Sequence, residues 1–194
     1  MGKETSSVFT NLETYDAESG DLNVIIDTPK GSRNKFEFNE KYALFSLGGV
    51  LPAGAVFPFD FGFVPSTLGG DGDPLDVLVV MDEPAFVGCL VPSRLIGVIE
   101  AEQTEEGKTE RNDRLIAVAS GSRVHREVRS LEDVSAQLVE EIEHFFVSYN
   151  AAKDKEFKPL GRFGPERAEE IVKEGMASFR GEQEPARKKR SASK

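Results

Sequence analysis

The sequence predicts a mainly β fold, a barrel- or sandwich-like body with two helices packed on it at the C-terminal end. Three observations predict it. Strand-like runs dominate the chain as far as Ala119 with no strand–helix–strand alternation, which argues against a parallel α/β sheet. An apolar stripe at helical spacing appears only after Leu131. A second begins behind Gly164-Pro165, a pair suited to a helix start. At 194 residues, with 39% hydrophobic and 30% charged side chains, the chain fits one globular domain that buries about 70% of its unfolded surface.

Met1 to Asp16 shows no periodicity and is expected to be a flexible arm (residues 1–16) ahead of a single domain over residues 17–181. Leu22 to Asp27 reads as a strand closed by Thr28-Pro29 and a Lys30-Gly31-Ser32 turn. Lys35-Phe36-Glu37-Phe38-Asn39 alternates strictly, so Lys35 and Glu37 share one face and Phe36 and Phe38 the other. A short strand is expected over Tyr42 to Leu47, then a glycine-proline turn from Gly48 to Gly54. Phe57, Phe59, Phe61 and Phe63 follow in seven residues, a segment expected to fill the core. Val77 to Met81 reads as a buried strand and Leu95 to Ile99 as another, with a hairpin tip at Thr104–Lys108 and a return strand at Arg114–Ala119. Ser130 can cap a helix from Leu131 to about Asn150, with Asp133 as capping-box partner. Val134, Leu138, Ile142, Phe145, Phe146 and Tyr149 form its apolar stripe. The last helix carries Ile171, Val172, Met176 and Phe179 and is expected to end near Gly181, leaving residues 182–194 as a basic, disordered tail.

The charge is uneven. Ala186 to Lys194 hold five Lys/Arg and no acid, so the rest of the chain sets 19 basic against 34 acidic residues. A body this acidic repels nucleic acid and attracts divalent cations. No apolar run approaches the roughly 18 residues of a membrane span, and no leader-like segment opens the chain. With Cys89 as the lone cysteine, no intrachain disulfide can form, which fits a cytoplasmic location.

The chemistry concentrates in Gly69-Gly70-Asp71-Gly72-Asp73-Pro74-Leu75-Asp76-Val77, three carboxylates within six residues at the mouth of a strand. Repulsion among them is costly without a cation, and hard ions such as Mg²⁺ take oxygen ligands. A calcium-binding helix–loop–helix wants an oxygen ligand and a glycine where Leu75 and Asp76 stand, so that reading fails. A phosphorylated aspartate follows its strand, whereas here the strand follows the aspartates. A solvated acidic turn is the bland alternative. No phosphate-binding P-loop or zinc-type Cys/His spacing is present; His125 and His144 are the only histidines, and His144 and Cys89 read as structural. Lys35 and Glu37 alone are compatible with an ordinary surface pair.

Asp71-Gly72-Asp73-Pro74-Leu75-Asp76-Val77 resembles the signature of the soluble inorganic pyrophosphatases of family I. The likeness extends in order through Ile26-Asp27-Thr28-Pro29, Asn34-Lys35-Phe36-Glu37, Phe57-Pro58 to Gly62, Ile96 to Ile99, Leu115 to Val118 and His144-Phe145-Phe146 to Tyr149. It implies a five-stranded OB-like β-barrel with two packed helices, assembled as a homo-oligomer (hexamers in bacteria), and Mg²⁺-dependent hydrolysis of pyrophosphate, with Mn²⁺ able to substitute. By the resemblance Asp71, Asp73 and Asp76 hold metal, Asp73 also deprotonates the attacking water, Lys35 and Tyr149 bind phosphate oxygens, and Glu37 and Asp27 support them.

The sequence also departs from that family. Its phosphate-binding arginine falls at Gly49, a tyrosine becomes Phe61, and the lysine after the helix tyrosine becomes Asn150. Two further metal-binding aspartates fall at Gln103 and Asn112, and a lysine beyond them at Arg114. Glu102 or Asp113 can replace them only through a bulge, because a one-residue shift turns a strand side chain to the other face. The departures leave two alternatives open: hydrolysis of another phosphoanhydride, or a non-catalytic relative that binds metal or phosphate.

Overall fold

The computed structural model describes residues 12–191, with side chains as far as Glu182. Among the described residues nine strands run in order, β1 Leu22–Thr28, β2 Asn34–Asn39, β3 Leu44–Val50, β4 Asp60–Phe63, β5 Asp76–Val80, β6 Leu90–Glu105, β7 Lys108–Arg111, β8 Arg114–Ala119 and β9 Glu156–Phe163. Helix α1 (Ala136–Ala151) precedes β9 and α2 (Pro165–Ser191) follows it. Strands β1-β4-β5-β8-β6 form a ring that closes because β6 also pairs β1. This is the five-stranded barrel that the sequence implies. The β5–β8 pairing is parallel and the ring's other pairings are antiparallel. Closure leaves the ring no free edge.

The buried strands serve two cores at once. Val77 and Val79 of β5 with Leu115 and Ala117 of β8 belong to the cluster that packs Ala168, Ile171 and Val172 of α2. Leu78, Val80, Ile116 and Val118 join Phe57, Phe61 and the α1 residues Val139, Ile142 and Phe146. Two-sided burial explains why these strands are apolar without alternation. The sixteen residues of β6 pair β1, β8, β7 and β9 in turn, bending at register shifts beside Gly97 and Ala101. A Cβ at Gly97 would lie 2.5 Å from both Leu131 Cγ and Phe163 O, so that bend requires glycine.

Several elements differ from expectation. The third strand runs to Val50 and absorbs Gly48 and Gly49 instead of turning: Gly49 pairs with Lys35 of β2, and Gly48 is the extra residue at a register shift. The phenylalanine segment contains β4, and β7 and β9 are additional strands. Ser130 and Asp133 do form a capping box, but on a single 3₁₀ turn, Leu131–Asp133. Val134 is extended and Ser135 caps α1 afresh. Val139 and Asn150 take buried positions on α1, and Leu138 is only half-buried. Helix α2 passes Gly181 and continues to Ser191, into the stretch expected as a tail. Residues 1–11 of the expected arm lie outside the described residues, while Thr14 is buried with its Oγ1 donating to Pro65 O, 3.0 Å away.

Candidate active site

A cleft of about 490 Å³ opens where the barrel meets the β2–β3 hairpin and the end of α1. The acidic loop between β4 and β5 forms one wall. Thr67 Oγ1 donates to Val64 O (2.7 Å) and accepts from Leu75 N (3.1 Å), which pins the base of the loop. Helix α2 supports it from behind, with Leu68 N donating to Gly175 O at 3.0 Å. A Cβ at Gly175 would approach Leu75 Cδ1 to 2.8 Å, so the glycine lets helix and loop meet. At the tip, Asp71 Oδ1 accepts from Asp73 N at 3.1 Å, and Gly72 takes a φ of 88° that favours glycine.

Asp71, Asp73 and Asp76 all line this cleft. Burial at the wall, followed by repulsion from neighbouring carboxylates, raises the Asp71 and Asp73 carboxyls above the usual range. For Asp73 those neighbours are Asp76, Glu37 and Glu40. Among the described residues, however, no three acidic, histidine or cysteine side chains are gathered to hold one ion. One oxygen of Asp76 is instead engaged by Arg114 Nη1, which also donates to Asn112 Oδ1.

Arg114 is 4% exposed and stacks its guanidinium 5.0 Å from the Phe146 ring and 5.5 Å from Phe157. Asn112 Nδ2 donates to Gln103 Oε1 at 3.2 Å, extending a chain of polar contacts along the cleft floor. Across from the loop, Lys35 Nζ donates to Asp27 Oδ2 at 2.6 Å and lies 4.5 Å from the Phe61 ring. Burial drives the Asp27 carboxyl up to about 6 against the pull of Lys35. Tyr149 closes the end of the cleft, its ring 5.7 Å from Phe145 and 5.6 Å from Phe57. Burial raises its phenol above the ordinary value. Its Oη accepts from Lys153 Nζ at 2.7 Å.

The inorganic pyrophosphatase family model matches residues 24–180. An inorganic pyrophosphatase from Synechocystis sp. is 38% identical over 144 residues, covering 74% of this chain and 83% of that protein. One from Nostoc sp. is 35% identical, covering 83% and 93%. The crystal structure of the inorganic pyrophosphatase from Thermus thermophilus superposes with a TM-score of 0.80 at 31% identity, covering 89% of this chain and 98% of that one. The chain belongs to the inorganic pyrophosphatase family.

Seen as a pyrophosphatase, the chain brings every expected site residue to one cleft: Asp27, Lys35, Glu37, the three loop aspartates, Asn112, Arg114 and Tyr149. The proposed replacements for Gln103 and Asn112 are not among them. Asp113 faces a neighbouring cleft of about 410 Å³ behind the loop, where it binds Ala101 N and Arg111. Glu102 lines neither cleft, as strand alternation beside Gln103 dictates. Gly49 sits opposite Lys35 across the hairpin and contributes no side chain. Asn150 reaches the cleft but is 2% exposed, and its Nδ2 is turned back to Phe146 O at 2.9 Å. Phe61 keeps its ring beside Lys35 and lacks the hydroxyl. Sequence reasoning missed Lys153, Lys155, Glu105 and Glu110. Only Lys153 carried a local signal, four residues beyond Tyr149 at the helix repeat.

Proposed function

We propose that this chain hydrolyses inorganic pyrophosphate to two phosphates in this cleft with Mg²⁺, Mn²⁺ being able to substitute. The observation that carries the reading is the placement of Asp71, Asp73 and Asp76 across one cleft from Lys35 and Tyr149, in a chain of this family. The donors fit a hard divalent cation in kind: they are carboxylate oxygens whose proton affinity is raised by burial and then by mutual repulsion, which a cation relieves. Asp71, Asp73 and Asp76 would hold it, and when bound it supplies charge neutralisation and a more acidic water.

The chain's own groups account for the rest. Lys35, held by Asp27 and the Phe61 ring, donates to a phosphate oxygen, and Tyr149 Oη donates to another. Asp73 accepts the proton of the attacking water. Water adds to one phosphorus as the bond to the bridging oxygen breaks, leaving two phosphates. Glu37 stands on the same strand face as Lys35, and Arg114 fixes Asp76 while adding positive charge near the loop.

Phosphate release from pyrophosphate, tripolyphosphate and nucleotides with Mg²⁺ or Mn²⁺ tests the reading. Pyrophosphate is expected to be preferred, and Asp73→Asn is expected to cost about a hundredfold or more in turnover. The variant should unfold within about 0.5 kcal/mol of the wild type, because Asp73 belongs to neither buried core and is crowded by like charge. A wild-type chain silent on pyrophosphate, or preferring another substrate, overturns it. The chain is further proposed to act as a homo-oligomer, a hexamer by family resemblance, in the cytoplasm. Among the described residues no helix is long and apolar enough to cross a membrane.

A further inference from the structure

We propose that Lys153 is a substrate-binding residue that donates to a phosphate oxygen in concert with Tyr149. The inference rests on the pyrophosphatase reading of the cleft. A substrate this anionic needs cations that are not already spent on carboxylates, and most cations in this cleft are. Lys35 is bound to Asp27, Arg114 to Asp76, and Lys155 to Glu105 at 2.7 Å. Lys153 alone among the described cationic side chains lining the cleft has no carboxylate within ion-pair distance.

Its ammonium is nevertheless placed. Nζ donates to Tyr149 Oη at 2.7 Å and lies 4.5 Å from that ring's centroid. An ammonium has three donors, so two remain after the tyrosine bond. The backbone beneath is fixed, with Lys153 N and Lys155 N both donating to Asn150 O at 2.8 and 3.0 Å. Burial, then the charge of Lys155, lowers the Lys153 pKa, against Glu37, Glu105 and Asp76, which face it across the cleft and raise it. Lys153 is exposed at the cleft, so its two remaining donors are open to an anion brought into it. The placement also answers the two cationic positions that this chain lacks. Gly49 has no side chain and Asn150 is turned into α1, whereas Lys153 returns positive charge one helical turn beyond Tyr149.

The competing reading makes Lys153 a charge at the C-terminal end of α1, favourable to the helix dipole and indifferent to substrate. The two differ in what they move. With the full chain and Mg²⁺, Lys153→Met is expected to raise KM for pyrophosphate about tenfold or more with kcat changed much less, the loss of one charge-assisted hydrogen bond. Lys153→Arg should recover most of the loss. Lys173→Met, which removes an α2 lysine bonded to Glu169, should match the wild type. Calorimetric titration with inorganic phosphate in Mg²⁺ gives a readout independent of turnover, and the wild type should bind about tenfold more tightly than Lys153→Met. Equal KM and equal phosphate affinity in Lys153→Met overturn the proposal, whatever happens to its melting temperature. If the wild type fails to turn over pyrophosphate yet binds phosphate through Lys153, the hydrolase reading falls and the binding role stands. A wild type that binds no phosphate overturns the binding role.

Discussion

Asp27 is 6% exposed, with Oδ2 on the Lys35 ammonium and Oδ1 without a hydrogen-bond partner among the described residues. Removal from water favours its neutral form, Lys35 favours the charged form, and the first effect prevails, taking the carboxyl from 3.8 to about 6. Because the folded-state value lies above that of the unfolded chain, protons bind the native state more tightly over this interval. The stability Asp27 contributes is therefore complete below about pH 4 and lost as pH rises through about 6. The drop corresponds to about 3 kcal/mol for a shift of this size. Urea unfolding of wild type and Asp27→Asn at several pH values between 4 and 7 isolates it, since the asparagine cannot titrate. The wild type should lose that amount relative to the variant on going up in pH, and a constant difference between the two would contradict the assignment. The same pair holds the Lys35 ammonium still at the cleft, so its cost in stability serves the position of the proposed phosphate-binding group.

Strand β4 owes its place between β1 and β5 to one small residue. Gly62 pairs with Ile26 of β1 and Val77 of β5, and a Cβ there would lie 2.1 Å from Ile25 O. That obstacle is backbone within a closed ring, which cannot swing aside as a flexible side chain can. Gly62→Ala is expected to cost about 3 kcal/mol and to lower the melting temperature by roughly 10 °C, measured by calorimetry. An unchanged melting temperature would mean that the ring shifts at this point. Elements of this kind were legible in proportion to how apolar they are. Strands β5 and β8 announced themselves because both faces are buried. Strand β9 did not, because Glu156–Phe163 carries Pro159 and Gly161 and a mostly exposed pattern, and only its pairing with β6 makes it extended. Strand β7, Lys-Thr-Glu-Arg, has no apolar side chain and exists through the hairpin with β6. The expected single helix from Leu131 broke because two serines five residues apart each cap a start, and the second prevailed for the long helix.

On the scale of the whole molecule, the acidic loop was legible from spacing, and Lys35, Glu37 and Tyr149 from the family resemblance, while the rest of the opposing wall was not. Lys153, Glu105 and Glu110 lie on segments far apart in sequence and meet Asp73 only after the barrel has closed and α1 has packed on it. The arrest of Asp76 by Arg114 was equally hidden, because charge pairing between β5 and β8 depends on their parallel register, Val77 opposite Leu115. The β2–β3 hairpin raises the last question of this kind, for it forms a separate two-stranded sheet beside the ring. Leu47 and Val50 pair across it with Phe36 and Asn34, on the face away from Lys35, and remain 59% and 57% exposed. Solvent is a costly environment for two neighbouring aliphatic side chains on a strand, and the proposed homo-oligomer would cover them. Full burial of each is worth about 1.5–3 kcal/mol, so replacing both should weaken association by about a hundredfold or more. Sedimentation equilibrium of the wild type is expected to show an oligomer. Leu47→Lys combined with Val50→Lys should dissociate toward monomer while keeping the circular dichroism of the folded chain, because neither side chain belongs to either buried core. A monomeric wild type would remove the oligomer, and an oligomer unaffected by the double substitution would move the interface elsewhere on the surface.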